Sequence, residues 1–190
     1  MRRRLALAAP LLLACGCAEV PYDLVVRGGR VLDGQGSPAT RTDIGVVRGK
    51  VVKLGDLGRA PATRVIDAHG LTVAPGFIDI HNHSDYTILL EPDAQSMIRQ
   101  GVTTMVLGEG ESAGPVKPGV HARRVDEAEV DWTTLGEYFA KLQRRGVSTN
   151  VASYVGQGQV WTYVKGYAMT PATPAEIEQM KKLVDRKSVV

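Results

Sequence analysis

Residues 75–83 of the chain read Pro75-Gly76-Phe77-Ile78-Asp79-Ile80-His81-Asn82-His83. An apolar run here ends in two histidines that are separated by a single residue. Because side chains alternate between the two faces of a β-strand, His81 and His83 would point to the same side. Two imidazoles on one face, at the end of a buried strand, make half of a divalent-metal site. This pattern is typical of a metal-dependent hydrolase.

The residues before this stretch have the pattern of a small all-β unit. Across residues 21–74, short runs of β-branched and aliphatic residues alternate with turn residues. The pairs Gly28-Gly29 and Arg48-Gly49 predict hairpin turns, and His69-Gly70 predicts a further turn. We therefore expect a first domain over residues 21–74 and a second over residues 75–190.

From Pro75 onward, apolar strands alternate with helical segments. We predict strands over residues 77–80, 103–107 and 149–155. The first is nearly all apolar, so we expect it to be buried on both faces. Strands that alternate with helices imply parallel βαβ units.

Three helices are expected in the same part of the chain. One begins at about residue 93, one is capped by Asp131 or Thr133, and one is capped by Thr173. The glycine-rich Gly156-Gln157-Gly158 has no Lys-Ser or Lys-Thr partner, so it is interpreted as a loop and not as a phosphate cradle.

Composition excludes some classes of partner. The 190 residues carry a net charge of +3, and three arginines lie at the extreme N-terminus, so the remainder is near neutral. No basic stripe with interleaved aromatic residues is present, and we expect no nucleic-acid partner.

Residues 1–20 have the pattern of an export signal. A charged Arg2–Arg4 segment precedes the apolar run Leu5–Ala14, which is too short to span a bilayer. The residues Leu12-Leu13-Ala14-Cys15 resemble a bacterial lipobox, so we expect an extracytoplasmic protein of the periplasm or cell envelope, anchored to the membrane only through a lipid on Cys15. The alternatives are an ordinary signal peptide cleaved near Cys17 and a cytoplasmic protein. Both cysteines lie here, so the body of the chain offers no thiolate ligand.

Several motifs resemble the amidohydrolase superfamily, and within it the D-aminoacylase branch of N-acyl-D-amino-acid deacylases. Besides residues 75–83, they are Tyr22–Gly29, Val65–Gly70, Gly101–Thr104 and Asn150–Gly156. The resemblance implies a (β/α)8 TIM barrel and a β-sandwich to which both ends of a much longer chain contribute. The expected fold class is α/β: the first three βα units of a partial barrel, preceded by a small β-sandwich-type all-β segment.

The end of the sequence departs from the family. Residues Arg186–Val190 do not continue into the apolar, glycine-rich fourth strand that the resemblance implies. We therefore expect an N-terminal fragment that arises from a truncated or frameshifted gene model.

The resemblance also implies the metal ligands. His81 and His83 would bind Zn²⁺, in a site that holds one or two divalent ions. The D-aminoacylase branch carries a metal-binding cysteine after its second barrel strand. A gapless alignment on Gly101–Thr104 places Gly110 at that position with Glu109 beside it, so we predict Glu109 as the third ligand and Glu111 as the alternative.

Other polar residues receive supporting roles. Asp79 is expected on the face of the two histidines, where it would orient an imidazole or cap a buried polar network. Asp85 is interpreted as a loop cap or substrate-side group, and His69 as structural. Ser112 and Ser153 have no paired base in the sequence, which argues against a serine nucleophile.

By resemblance, the enzyme hydrolyses the C–N amide bond of a small N-acyl-D-amino acid or related amide. Its general base would be an aspartate from a later strand, so we expect the 190-residue chain alone not to be competent. The alternatives are a cyclic-amide hydrolase of the same superfamily, similar to dihydroorotase or hydantoinase, a non-catalytic lipoprotein fragment, and an extracytoplasmic binding module.

The lipobox predicts incorporation of fatty acid at Cys15. Metabolic labelling with a radioactive fatty acid should label the protein, and Cys15→Ser should remove the label because it removes the thiol that is acylated. Cys17→Ser is the matched control and should stay labelled. Label that persists in Cys15→Ser would contradict the lipoprotein interpretation.

Overall fold

The computed structural model describes residues 22–117 and 130–185. The predicted signal, with its lipobox at Cys15, and the divergent tail lie outside the described residues. The chain divides into two compact units, one up to Pro75 and one from Gly76. No helix within the described ranges combines the length and the apolar character needed to cross a membrane.

The first unit is a five-stranded sheet. Its order is β3-β2-β1-β4, and the short β5 also pairs with β1. The β1–β2 and β2–β3 pairs are antiparallel, whereas β4 and β5 run parallel to β1. The strands are β1 (Tyr22–Val31), β2 (Thr40–Val47), β3 (Lys50–Gly55), β4 (Ala62–Asp67) and β5 (Thr72–Val73).

One of the two predicted hairpin turns is wrong. Gly28-Gly29 lies inside β1, where the pairing with β2 shifts register, so it is a bulge. The Gly28 N–H donates to Asp43 Oδ1 at 2.8 Å, and Gly28 has a positive φ of 67°. A side chain at Gly28 would meet the ring of His69, which agrees with the structural role expected for that histidine. Arg48-Gly49 does form a hairpin turn, with both residues at positive φ.

The second unit contains a three-stranded parallel sheet in the order β6-β7-β8. Strands alternate with helices, as the sequence predicts for βαβ units, and the sheet of the described residues is open, with no closed barrel. The elements are β6 (Phe77–Asp79), α1 (Thr87–Leu90), α2 (Gln95–Ile98), β7 (Val102–Leu107), α3 (Leu135–Arg145), β8 (Asn150–Ser153), α4 (Gln157–Lys165) and α5 (Pro174–Asp185).

The expectation that the first strand of this unit is buried on both faces is wrong. Phe77, Ile78 and Ile80 are 65%, 62% and 68% exposed. The reason is topological: β6 is an edge strand that pairs only with β7 among the described strands.

The helices also differ in part from the sequence prediction. Two short helices, α1 and α2, replace the one expected from about residue 93. Thr134, and neither Asp131 nor Thr133, caps α3. The segment Gly156-Gln157-Gly158, interpreted from the sequence as a loop, forms the start of α4. Its glycines have a packing role, because a Cβ on Gly156 would lie 2.6 Å from the Gly110 carbonyl oxygen.

The core of the second unit lies between β7, α1 and α3. Tyr138 and Leu107 are fully buried there, and the Trp132 ring lies 5.3 Å from that of Tyr138. The cluster comprises Ile88, Leu89, Met105, Leu107, Ala113, Val116, Trp132, Leu135, Tyr138 and Leu142. This core fixes the β6–α1 and β7–α3 connections, which carry the predicted metal ligands.

Thr134→Ala should destabilise the second unit. Thr134 and Glu137 form a reciprocal capping box, in which the Thr134 hydroxyl accepts from the Glu137 N–H at 3.1 Å. Loss of such a cap lowers the free energy of unfolding by about 1 kcal/mol. Urea unfolding followed by tryptophan fluorescence measures it. Thr133→Ala is the control, because within the described residues the Thr133 side chain makes no hydrogen bond, and an equal loss in both variants would contradict the capping assignment.

Candidate metal centre

The predicted ligands lie in two neighbouring loops. His81 and His83 follow β6, and Glu109 follows β7. Because β6 and β7 are adjacent and parallel, their carboxyl ends lie at the same edge of the sheet. The sequence pattern suggested that the two histidines lie on the strand itself. Since β6 ends at Asp79, they lie in the loop directly after it.

The structure nevertheless brings the three side chains together. Their ligand atoms all lie within 4.8 Å of one another. His81 Nε2 lies 2.6 Å from Glu109 Oε2, and the two imidazole centroids are 5.2 Å apart. The His81 and Glu109 side chains are 64% and 51% exposed, so a small ligand can reach them. Glu111, the predicted alternative, is not part of this cluster among the described residues.

Asp79 shapes the loop that carries the histidines. Its carboxylate accepts the His81 backbone N–H at 3.2 Å and the Asn82 side-chain amide at 2.7 Å. These two hydrogen bonds, that of Asn82 foremost, hold the pKa of Asp79 below its ordinary value. Asn82 is buried, and its Oδ1 accepts the Ser84 N–H at 2.9 Å. Asp79 is expected from the sequence either to orient an imidazole or to cap a polar network, and its hydrogen bonds to the His81 N–H and the Asn82 amide are those of a polar network.

Asp85 lies under the same loop and is only 5% exposed. Its Oδ1 accepts the Ala113 N–H at 3.2 Å, and its backbone carbonyl accepts the Tyr138 hydroxyl at 2.6 Å. Burial raises the pKa of Asp85 in spite of hydrogen bonds from the Ala113 and Gly108 backbones. The sequence predicted a loop cap here but not its burial, because its partner lies 28 residues away.

Neither serine is arranged as a nucleophile. Ser112 is 2% exposed, and its hydroxyl donates to the Gly114 carbonyl at 2.6 Å and accepts the Gly156 N–H at 3.0 Å. Ser153 donates to the Tyr154 carbonyl at 2.8 Å. His69 contacts Asp67 in the first unit at 2.5 Å. These contacts give the side chains structural roles.

The three clustered side chains fit a zinc ion chemically. Zinc is bound by imidazole nitrogen and carboxylate oxygen at about 2.0–2.2 Å, which places neighbouring ligand atoms roughly 3.3 Å apart in a tetrahedral site. The ligand atoms lie within 4.8 Å of one another, a spacing of the same order, and all three residues are exposed.

Comparison with known proteins shows the family of the chain. The model of the amidohydrolase family matches residues 64–188. The chain belongs to this family. It is 35% identical over 170 residues to a D-aminoacylase from Alcaligenes xylosoxydans xylosoxydans, and the match covers 87% of the chain.

Two solved structures resemble the fold closely. One is N-acyl-D-glutamate deacylase from Bordetella bronchiseptica, complexed with zinc and a phosphonate inhibitor, with 34% identity, a TM-score of 0.79 and 86% of the chain covered. The other is a D-aminoacylase with a binuclear metal centre, with 33% identity, a TM-score of 0.79 and 89% covered. The chain spans 35% of the length of the Alcaligenes enzyme and 35% and 36% of the two solved chains.

Ser112→Ala should lower stability without removing any ligand. The hydroxyl satisfies two buried backbone groups, and leaving such groups without a partner costs about 1–3 kcal/mol of unfolding free energy. Ser153→Ala, which removes a hydroxyl at the end of β8, should cost less. Denaturant titration of both variants makes the comparison, and a Ser112→Ala protein as stable as the wild type would contradict the structural role.

Proposed function

We propose that this chain provides His81, His83 and Glu109 as ligands of a zinc-dependent amidohydrolase that deacylates N-acyl-D-amino acids. One observation carries the proposal: three ligand atoms of the types that zinc prefers lie within 4.8 Å of one another at the carboxyl edge of a parallel sheet. The solved relatives that contain zinc or a binuclear metal centre support the choice of ion.

The residues must change their hydrogen bonding to hold the ion. A zinc ligand has to present a lone pair, so His81 Nε2 and Glu109 Oε2, which lie 2.6 Å from each other, must both turn toward the ion. Metal ions bind the deprotonated forms of imidazole and carboxylate side chains. Zinc affinity should therefore fall as the pH is lowered. When bound, zinc lowers the pKa of a water molecule and polarises a carbonyl, which is the chemistry that amide hydrolysis needs. The partial exposure of His81 and Glu109 leaves room for a substrate carbonyl.

Glu109 gives this site a distinct preference among metals. By resemblance, the D-aminoacylase branch uses a cysteine in this loop, whereas both cysteines of this chain lie at positions 15 and 17. Carboxylate oxygen is a harder ligand than thiolate. We therefore expect the site to prefer zinc over softer, thiol-seeking ions such as cadmium.

The relatives support the choice of substrate class. They include a D-aminoacylase, an N-acyl-D-aspartate deacylase and an N-acyl-D-glutamate deacylase. Neither Asp79 nor Asp85 offers a free general base, because Asp79 is engaged by Asn82 and Asp85 is buried. We expect the 190-residue chain to bind zinc, and deacylation to require groups beyond those of its described residues.

Zinc binding by the purified chain tests the ligand set. Elemental analysis after dialysis should give about one zinc per chain for the wild type. His81→Ala and His83→Ala should each abolish retention because each removes one ligand, and Glu109→Gln should weaken it. His69→Ala is the matched control, since His69 lies outside the cluster, and it should retain zinc.

Unchanged zinc content in a His81→Ala/His83→Ala double variant would refute the site. The substrate class is tested separately on protein from the complete gene, by comparing hydrolysis of N-acetyl-D-amino acids, their L-enantiomers and hydantoin. Turnover of hydantoin alone would favour the cyclic-amide alternative.

A further inference from the structure

A buried carboxylate, that of Asp85, connects the two loops that carry the candidate ligands. Asp85 follows His83 by two residues, and the N–H group that it accepts belongs to Ala113, four residues after Glu109. Asp85 is 5% exposed and Ala113 is fully buried. The contact therefore ties the histidine loop to the glutamate loop from inside the protein.

The same contact holds the Glu109 loop on its C-terminal side. The Ala113 N–H donates to Asp85 Oδ1 at 3.2 Å, and only three residues separate Ala113 from Glu109. A loop that is held so close to its ligand has fewer positions in which to place that side chain.

Asp85 and Ala113 are themselves held by the core. The Asp85 carbonyl accepts the Tyr138 hydroxyl at 2.6 Å, and the Ala113 carbonyl accepts Trp132 Nε1 at 2.7 Å. Tyr138 is fully buried and Trp132 is 5% exposed. The anchor is thus rigidly supported, whereas the ligands that it would position are exposed.

Stability alone is a weak reason for a buried carboxylate here. Burying a charged group is costly, and a well-packed apolar side chain often serves a core as well or better. A carboxylate can, however, accept a hydrogen bond from a backbone N–H group, which an apolar side chain cannot do. Asp85 uses this ability to bind the Ala113 N–H of the neighbouring loop.

We propose that Asp85 is a positioning residue that holds Glu109 at bonding distance from an ion bound by His81 and His83. The inference rests on the proposed zinc site and deepens it. Asp85 is not one of the clustered ligands and acts through Glu109. Groups that support metal ligands in this way typically change metal affinity by about 10–100-fold when they are removed.

A double-mutant cycle on zinc affinity tests the proposal. Zinc dissociation constants are measured by competition with a chromophoric chelator for wild type, Asp85→Ala, Glu109→Gln and the double variant. Asp85→Ala should weaken binding about 10–100-fold in the wild-type background. It should change binding by no more than about twofold in the Glu109→Gln background, because residues that act through one another are not additive.

Control variants separate positioning from loss of fold. Asp85→Asn keeps one oxygen for the Ala113 N–H and should bind zinc more tightly than Asp85→Ala; if Asp85→Ala does not fold, the cycle is run with Asp85→Asn. Leu142→Ala removes a buried side chain from α3 and should lower stability with little change in zinc affinity. Visible spectra of the Co²⁺-loaded proteins should change in Asp85→Ala and not in Leu142→Ala.

Three results would overturn the inference. The first is a zinc affinity of Asp85→Ala within about twofold of the wild-type value. The second is an equal loss of zinc affinity on Asp85→Ala in the wild-type and Glu109→Gln backgrounds. The third is an equal loss of zinc affinity in Leu142→Ala. A wild-type chain that binds no zinc would instead refute the proposed function and this inference with it, so the two failures are distinguishable.

Discussion

The parallel pairing of β6 with β7 is the constraint on which the candidate metal centre depends. It places Ile78 opposite Thr104 and Asp79 opposite Met105, so both strands end at the same edge. The loops that follow then emerge side by side, with His81 and Glu109 in contact. Gly76 permits the strands to approach, because a side chain there would overlap that of Thr103. Residues that are far apart in sequence thus meet through backbone pairing alone.

The sequence predicted the parts of the fold that local patterns encode. The three parallel strands, which alternate with helices, follow from strand periodicity and turn residues. The loop of Glu109 follows the second of these strands, and the role of Glu109 as a ligand stays a prediction. The errors arise where tertiary contacts decide. Gly28-Gly29 looks like a turn pair but accommodates His69 within a strand, and Gly156 and Gly158 obscure the start of α4 because they serve packing against the Gly110 carbonyl. The burial of Asp85 depends on Ala113 and Tyr138, and no local pattern reveals such partners.

The exposure of β6 shows that this strand contributes little to the hydrophobic core of the second unit. Its core lies on the β7 side, where Met105 and Leu107 are almost completely buried. On β6, Phe77 and Ile78 remain more than half exposed at the edge of the sheet. Exposed apolar residues on an edge strand favour association with other surfaces or strands. The strand that precedes the histidines is therefore partly exposed, and the loop after it is held by hydrogen bonds of Asp79 and Asn82.

These polar anchors explain how exposed ligands could form a defined site. Ordering a long side chain on binding costs conformational entropy, and this cost is greatest for ligands that are free in solvent. The histidine loop reduces the cost through Asp79 and Asn82, which fix the backbone at His81 before any ion binds. The Glu109 loop is fixed in the same way through Ala113. Hydrogen bonds to Asp79 and Asp85 thus set the backbone of the two loops, whereas the exposed imidazoles and carboxylate can turn toward an ion.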